Sequence, residues 1–223
     1  MNWQALALTA KLASLTSLVL MLISIPIALW LAFSPRRWKF FLEAVVGLPI
    51  VLPPTVIGLY LLMAFGSATA LGQWYVRTVG STLAFSFGGL VIASVLYSLP
   101  FAVNPIAAGF RSVDQKLIDA ARTLGVRQFK IYWQIVLPLA WPALVTGMVL
   151  SFAHTVGEFG VVLMVGGNIP GVTRTLSIDI YDQVQSLNYS AANQTAVVLL
   201  VFSYALLCLV YGLNRRMFTF GGR

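Results

Sequence analysis

Apolar residues in this chain come in long unbroken runs, not in the short-period pattern of a half-buried element. Five stretches, about residues 10–33, 44–66, 87–110, 138–160 and 192–213, each reach the roughly 20 apolar residues that a helix needs to cross a bilayer. Backbone amides in hydrocarbon must find partners inside their own segment or in a closed sheet. The alternating polarity of a membrane barrel strand is absent, so the spans are predicted to be helices. The fold class expected is an all-α membrane protein with about five transmembrane helices.

Composition agrees with the pattern. Of 223 residues, 59% are hydrophobic and only 9% charged, with a mean hydropathy of +0.89. A soluble domain carries about a quarter of its residues as charged side chains, which excludes an ordinary water-facing fold and makes the lipid bilayer the main solvent. The first run stays free of charge from Leu12 to Phe33, longer than the ~7–15 residue core of a signal peptide. Its strong basic flank, Arg36, Arg37 and Lys39, follows the run, so it reads as a retained span.

Basic residues then predict orientation. With the N-terminus outside and spans alternating, the cytoplasmic segments hold Arg36, Arg37, Lys39, Arg111, Lys116, Arg122, Arg127, Lys130, Arg215, Arg216 and Arg223, leaving Lys11, Arg77 and Arg174 outside. Cytoplasmic loops carry this excess in membrane proteins, and the opposite orientation inverts it. The C-terminus is then cytoplasmic. The net charge of +8 is spread between apolar runs and is no nucleic-acid footprint. The lone Cys208 permits no internal disulfide and suits inert packing in its apolar run.

Several spans contain residues that a plain membrane helix avoids. Pro26 lies in the first. The second holds Pro49, Pro53 and Pro54 before Thr55, and each interior proline removes a backbone hydrogen bond. Such a bend serves packing alone or lines a path through the membrane. Residues 66–86 form an outer loop with a weakly amphipathic piece near 73–79. The third span, with Pro100, Asn104 and Pro105, reads as a second proline-broken helix, and Asn104 is expected to face protein, as helix-packing glue or a ligand. Near the outer end of the fourth, His154 and Glu158 are spaced to share a helix face. Such a pair suits a proton relay or a metal pair, but one histidine and one carboxylate make an incomplete metal site, so a structural hydrogen bond is expected there and no metal.

Between the third and fourth spans, Ser112-Val113-Asp114-Gln115 fits a capping box that starts a helix running through Ala120 and Ala121. Gly125 suits the left-handed position that ends it. A second helix from about Arg127 runs into the fourth span, whose start is marked by Pro138 and Pro142. The product is a helix–turn–helix of about residues 111–137 on the cytoplasmic face. Ala120 and Ala121 let another backbone approach, with Arg122, Arg127 and Lys130 at the rim. The alternative is a solvated connector.

The full spacing here is Asp119-Ala120-Ala121, three residues, Gly125, nine residues, then Ile135-Val136-Leu137-Pro138. It resembles the EAA loop of binding-protein-dependent ABC permeases, with aspartate in place of the first glutamate. Leu48 to Pro54, Gly157-Glu158-Phe159-Gly160, Gly167 to Gly171 and Thr173-Arg174-Thr175-Leu176 are similar to the molybdate branch of the oxyanion importers. That likeness covers most of residues 44–185, and sulfate and tungstate permeases share parts of it.

The resemblance implies one permease domain over residues 1–223 in a bacterial inner membrane, importing molybdate, or alternatively sulfate or tungstate. It implies a homodimer, two ATP-binding cassette subunits and an extracytoplasmic oxyanion-binding protein. The chain has no phosphate-loop motif, so ATP and Mg belong to the partner ATPase and the chain is a transport subunit, not an enzyme, with no catalytic residue. Coupling to the ATPase is assigned to Asp119, Ala120, Ala121, Arg122, Gly125, Leu137 and Pro138. The translocation path or gate is assigned to Pro53, Pro54, Thr55, Asn104, Glu158 and Asn168. Arg174 steers an anion or pairs with a docked protein, unless its loop is a plain outer connection. Residues 175–185 form a short outer helix with Asp179 and Asp182 turned to water or to the binding protein. An ion-coupled secondary transporter calls for more acidic residues in the membrane and an inverted repeat, where this chain offers Glu158 and, at an edge, Glu43.

Overall fold

The computed structural model describes residues 2–220, with side chains described as far as residue 212. It is all-helical among the described residues. Helix α1 (Trp3–Phe33) is capped by Asn2, whose Oδ1 accepts from the Ala5 amide at 3.2 Å. It begins earlier than the hydropathy predicts and continues straight through Pro26. It stops where Ser34 turns extended ahead of Pro35, the conformation a following proline ring favours.

The expected second span is two helices. Helix α2 (Lys39–Val51) and helix α3 (Pro54–Phe65) meet at 109°. Pro49 sits inside α2 without ending it. The break comes at Leu52 and Pro53, both extended, because each precedes a proline and two successive amides lack a hydrogen to donate. Helix α4 (Ala70–Val79) realises the amphipathic piece predicted near 73–79. It is capped by Thr69 and closed by Gly80.

Helix α5 (Phe87–Arg111) corrects the expectation of a second broken span, since it is continuous through Pro100 and Pro105. Pro100 is itself buried, and packing on both sides holds the helix across the lost bonds. Beyond it lie α6 (Gln115–Thr123) and α7 (Gln128–Ile131), a π-helical turn (Tyr132–Val136), α8 (Leu137–Leu139) and α9 (Trp141–Gly157). Then come α10 (Gly160–Gly166), α11 (Leu176–Gln185) and α12 (Tyr189–Phe220).

Helices α1, α5 and α9 form the centre. Leu12 packs with Leu90, Leu20 with Val95, and Ala28 and Leu31 with Ile106 and Phe110, so α1 and α5 run parallel. Leu144 of α9 joins the Ala28–Phe110 end while Thr155 reaches Ser98, so α9 runs the other way. A parallel α1 and α5 requires the chain to return between them, and α2 with α3 supplies that return. The α5–α9 contact is closest at Gly109, where an added Cβ would fall 2.1 Å from the Ala143 Cβ. Small residues allow this approach without burying polar groups in lipid.

Among the described residues three helices are long and apolar enough to cross a membrane, and the count reaches five when each bent pair is one span, the second pair being 128–139 with α9 at 70°. Helix α12 presents Leu200, Val201, Tyr204 and Leu209 outward. Cys208 is exposed on the same helix, which corrects the packing role expected of it. The side chains of Arg215, Arg216 and the tail from Met217, and the backbone of residues 221–223, lie outside the described residues.

Candidate functional site: the α6–α9 elbow and the outer loop

The segment joining α5 to α9 folds as an elbow, with a different cap from the one expected. Ser112 ends α5, its hydroxyl donating to the Gly109 carbonyl at 2.7 Å. Asp114 caps α6 instead, accepting from the Lys116 amide at 2.9 Å. Gln115 does not reach back to the start of the helix, because its Nε2 donates forward to Asp119 Oδ1 at 3.0 Å. The sequence offered two cap residues two positions apart, and the α5 C-terminus took the first.

At its other end α6 closes as expected. Gly125 has φ +74°, its amide donates to the Arg122 carbonyl at 2.9 Å, and the Val126 amide donates to the Ala121 carbonyl at 3.1 Å. This pair of bonds satisfies the helix's last carbonyls and needs a residue at ease in the left-handed region. Asp119, despite its short side chain, also accepts from Arg122 Nη1 at 3.0 Å. Arg122 Nε then donates to Gln128 Oε1 at 3.3 Å, a bridge across the turn that no spacing rule announced.

The two alanines divide. Ala120 is exposed, whereas Ala121 is buried with Ile118 against the bundle, so only Ala120 stands open to another backbone. Ile118, Ala121, Ile131, Val136 and Ala140 share one core with Ala28 and Leu31 of α1, Val46 of α2 and Phe110 of α5. Arg111 adds a polar tie, donating to Glu43 at 2.8 Å and to the Leu31 carbonyl at 3.4 Å. The elbow is thereby fixed to three helices.

A single helix from Arg127 into the fourth span is not what forms. Pro138 would clash with the carbonyl of Gln134 in a regular helix, and the chain widens just before it into the π-helical turn, whose last bond runs from the Leu137 amide to the Tyr132 carbonyl. Pro142 again lacks an amide hydrogen, and the chain bends by 70° at Ala140. Pro138 is exposed and Leu137 half-buried at this corner. Outward the elbow shows Leu124 at 82% and Phe129 at 74% exposure, with Trp133 stacked on Phe129 at 6.2 Å. An open depression of about 400 Å³ is lined by Leu124, Gly125, Val126, Arg127 and Lys130. Arg127 and Lys130 make no ion pair among the described residues.

The outer loop is tied to itself. Arg174 Nε donates to Asn168 Oδ1 at 2.6 Å, Asn168 Nδ2 donates to Asp182 Oδ1 at 3.0 Å, and Arg174 lies 3.6 Å from Asp182. The guanidinium expected to steer an anion or meet a docked protein is matched inside the chain. The short outer helix expected over 175–185 forms as α11, and Thr175 caps it. Asp179 is not turned to water: at 3% exposure it accepts from Asn2 and from Gln183.

The remaining path candidates separate. Pro53 and Thr55 are exposed at the α2–α3 bend, and Pro54 packs on Gly160. Asn104 is exposed on α5, so it faces away from this chain's own packing and is not glue within it. Glu158 is buried. It leaves the helix as the extended residue after α9, so it does not share a face with His154. His154 Nδ1 pairs instead with Ser98 Oγ at 2.9 Å, and the ring stacks on Phe101 at 3.8 Å.

A multi-spanning helical bundle with a broken second crossing, and an elbow fixed to its core yet offering apolar and basic groups outward, defines a permease-class membrane subunit. The chain belongs to the binding-protein-dependent transport system inner membrane component family, which it matches over residues 24–219. It is 45% identical to the molybdenum transport system permease protein ModB of Azotobacter vinelandii, covering 95% of this chain and 93% of that one. The ModB of Escherichia coli K12 is 38% identical over 83% of this chain and 81% of its own. A probable sulfate transport system permease protein of Chlorella vulgaris is 32% identical over 91% and 76%. In fold, the chain matches the inward-facing MetNI methionine ABC transporter with TM-score 0.74 at 17% identity, covering 97% of this chain and 95% of that one. A bacterial alginate ABC transporter gives 0.75, also at 17% identity, over 96% and 78%.

Proposed function

We propose that the chain is the permease subunit of an ATP-driven importer for molybdate, passing the oxyanion from an extracytoplasmic binding protein to the cytoplasm. The observation that carries this reading is the elbow, a segment locked to α1, α2 and α5 yet presenting Leu124, Phe129, Arg127 and Lys130 to an outside partner. The likeness to molybdenum permeases over nearly the whole chain supports the substrate.

In this reading two copies of the chain pair in the inner membrane, N-terminus outside, and two ATP-binding cassette subunits dock on the elbows. The partner subunits bind ATP and Mg. Asp119, Arg122 and Gly125 hold the shape of the docking surface, Ala120 lets the partner approach, and Leu137 and Pro138 form the corner that turns the elbow into α9. Closure of the ATPases moves the elbow, and α9 moves with it. Pro53, Thr55 and Asn104, exposed on the chain, line the route with few fixed charges. An anion on that route meets little repulsion. Glu43, Asp119 and Asp182 are matched by arginines, and Asp179 and Glu158 are buried.

The experiment is vesicle uptake by the chain reconstituted with its ATPase and binding protein, comparing molybdate, tungstate and sulfate. ATP-dependent uptake with molybdate preferred is the expected result. Uptake without the ATPase, or of sulfate with no response to molybdate, overturns the proposal.

A further inference from the structure

Glu158 stands at the joint between two parts of the molecule. Behind it α9 runs back to the elbow. Ahead of it α10 packs on α3, where Pro54 meets Gly160, and the Ser177 hydroxyl of α11 donates to the Glu158 backbone carbonyl. Its side chain is 5% exposed, and both carboxyl oxygens are buried without a hydrogen-bond partner. The Ser94 hydroxyl of α5 stands beside the carboxyl, and it too is buried with no formed hydrogen bond. The pairing of Leu12 with Leu90 and of Leu20 with Val95 puts Thr16 and Ser17 of α1 at this level, again buried and without partners.

Among the described residues no cation pairs with the carboxyl. The charged and titratable groups on α1, α3, α5, α9, α10 and α11 are Lys11, Tyr60, Tyr97, Arg111, His154, Asp179, Tyr181 and Asp182, and Arg111, at the far end of α5, is paired with Glu43. Lys11 lies over the Phe87 ring at 4.8 Å and His154 is paired with Ser98. Asp179 is bonded to Asn2 and Gln183, and Asp182 to Asn168 and Arg174. The position also follows the C-terminus of α9, whose carbonyls repel negative charge. An ionised carboxylate left alone at such depth carries a heavy desolvation cost.

We propose that Glu158 is a buried proton-holding site: a neutral carboxylic acid that donates to Ser94 and so fastens the α9–α10 joint to α5. A carboxylic acid has one donor to offer, and a helix serine that accepts it can pass its own hydrogen to the carbonyl one turn earlier. One proton thereby partners both orphaned side chains without any counter-ion. Glu158 is in this role a positioning residue, which holds the outer helices α3, α10 and α11 against the end of the helix that the elbow drives.

Infrared difference spectroscopy on hydrogen–deuterium exchange tests this with the purified chain in detergent at neutral pH. The wild type is expected to show a protonated-carboxyl C=O band that Glu158→Gln lacks, and Ser94→Ala is expected to move that band to higher frequency. Glu158→Gln keeps a neutral donor and so keeps the wild-type melting temperature. Glu158→Ala and Ser94→Ala each lower it by about 2–4 °C, and together by less than the sum of the two. A wild type with no such band, or a band unchanged in Glu158→Gln, overturns the proposal. So does a melting temperature that rises with added sodium in the wild type but not in Glu158→Gln, which would mark a cation in place of the proton.

Discussion

Replacing Gly125 separates backbone conformation from contact at the elbow. Its φ is +74° and no atom lies within 4 Å of the position a Cβ would take, so inside the chain a substitution meets no obstacle. What remains is the left-handed conformation, which costs an L-residue roughly 1–2 kcal/mol, a factor of about 5–30 in the ratio of formed to unformed elbow. Asparagine tolerates that region better than alanine, valine worse. Proline fixes φ near −65° and removes the amide that bonds to Arg122. The expected order of binding-protein-stimulated ATP hydrolysis in the reconstituted complex is therefore Gly, Asn, Ala, Val, Pro, with Gly125→Ala reduced about 5–30-fold at limiting ATPase subunit. Titrating that subunit should restore Ala and Val but not Pro. If Gly125→Asn is worse than Gly125→Ala, the partner is sensing side-chain bulk in the depression beside Arg127, and the conformational argument fails.

Gly109→Val should act inside the bundle, behind the elbow and not on its outer face, since its first added carbon falls 2.1 Å from the Ala143 Cβ. Overpacking of this kind costs about 1–3 kcal/mol, read as a lower melting temperature in detergent, and Ala143→Gly should restore part of it. Asp119→Asn removes a carboxylate from an ion pair whose side chains are 59% and 46% exposed, a loss of no more than about 1 kcal/mol. Its melting temperature should stay level while coupled ATP hydrolysis falls, because the group orients Arg122 toward Gln128; an unchanged ATPase rate would remove that role.

What was legible in the sequence followed from single strong rules. Apolar runs located α1, α5 and α12, and proline and glycine located the bend at Pro53 and the turn at Gly125. What was not legible came from competition between rules. Pro100 and Pro105 promised a break, but packing against α1 and α9 kept α5 whole. Ser112 and Asp114 both suit a helix cap, and only the end of α5 decides between them. Arg174 and Asp182 look like free outer charges eight residues apart until the loop folds back and joins them through Asn168. Asp179 reads as a surface residue in an amphipathic helix, and Asn2, 177 residues away, is what keeps it inside.

The distribution of stiff and bent places decides how a push at the elbow can travel. Helix α9 has 17 residues, about 25 Å of unbroken helix, with one end at the Ala140 bend and the other at Glu158. Near the elbow it is pressed on α5 at Gly109 and Ala143 with no room between them, so there the two helices must move together. Its other end is attached to α5 by Ser98 through Thr155 and His154 and, with the proton in place, by Ser94 through Glu158. Beyond that joint the backbone is free to change direction, at Glu158 and Phe159 and again across the packed Gly160–Pro54 contact, where α3 turns by 109° from α2. In the proposed import cycle, a displacement of the elbow is carried along α9 to the Glu158 joint and, through the Gly160–Pro54 contact, to the Pro53–Thr55 bend. On that reading the bend, where α2 and α3 meet at 109°, and not the elbow, is the place at which a push becomes a change of path.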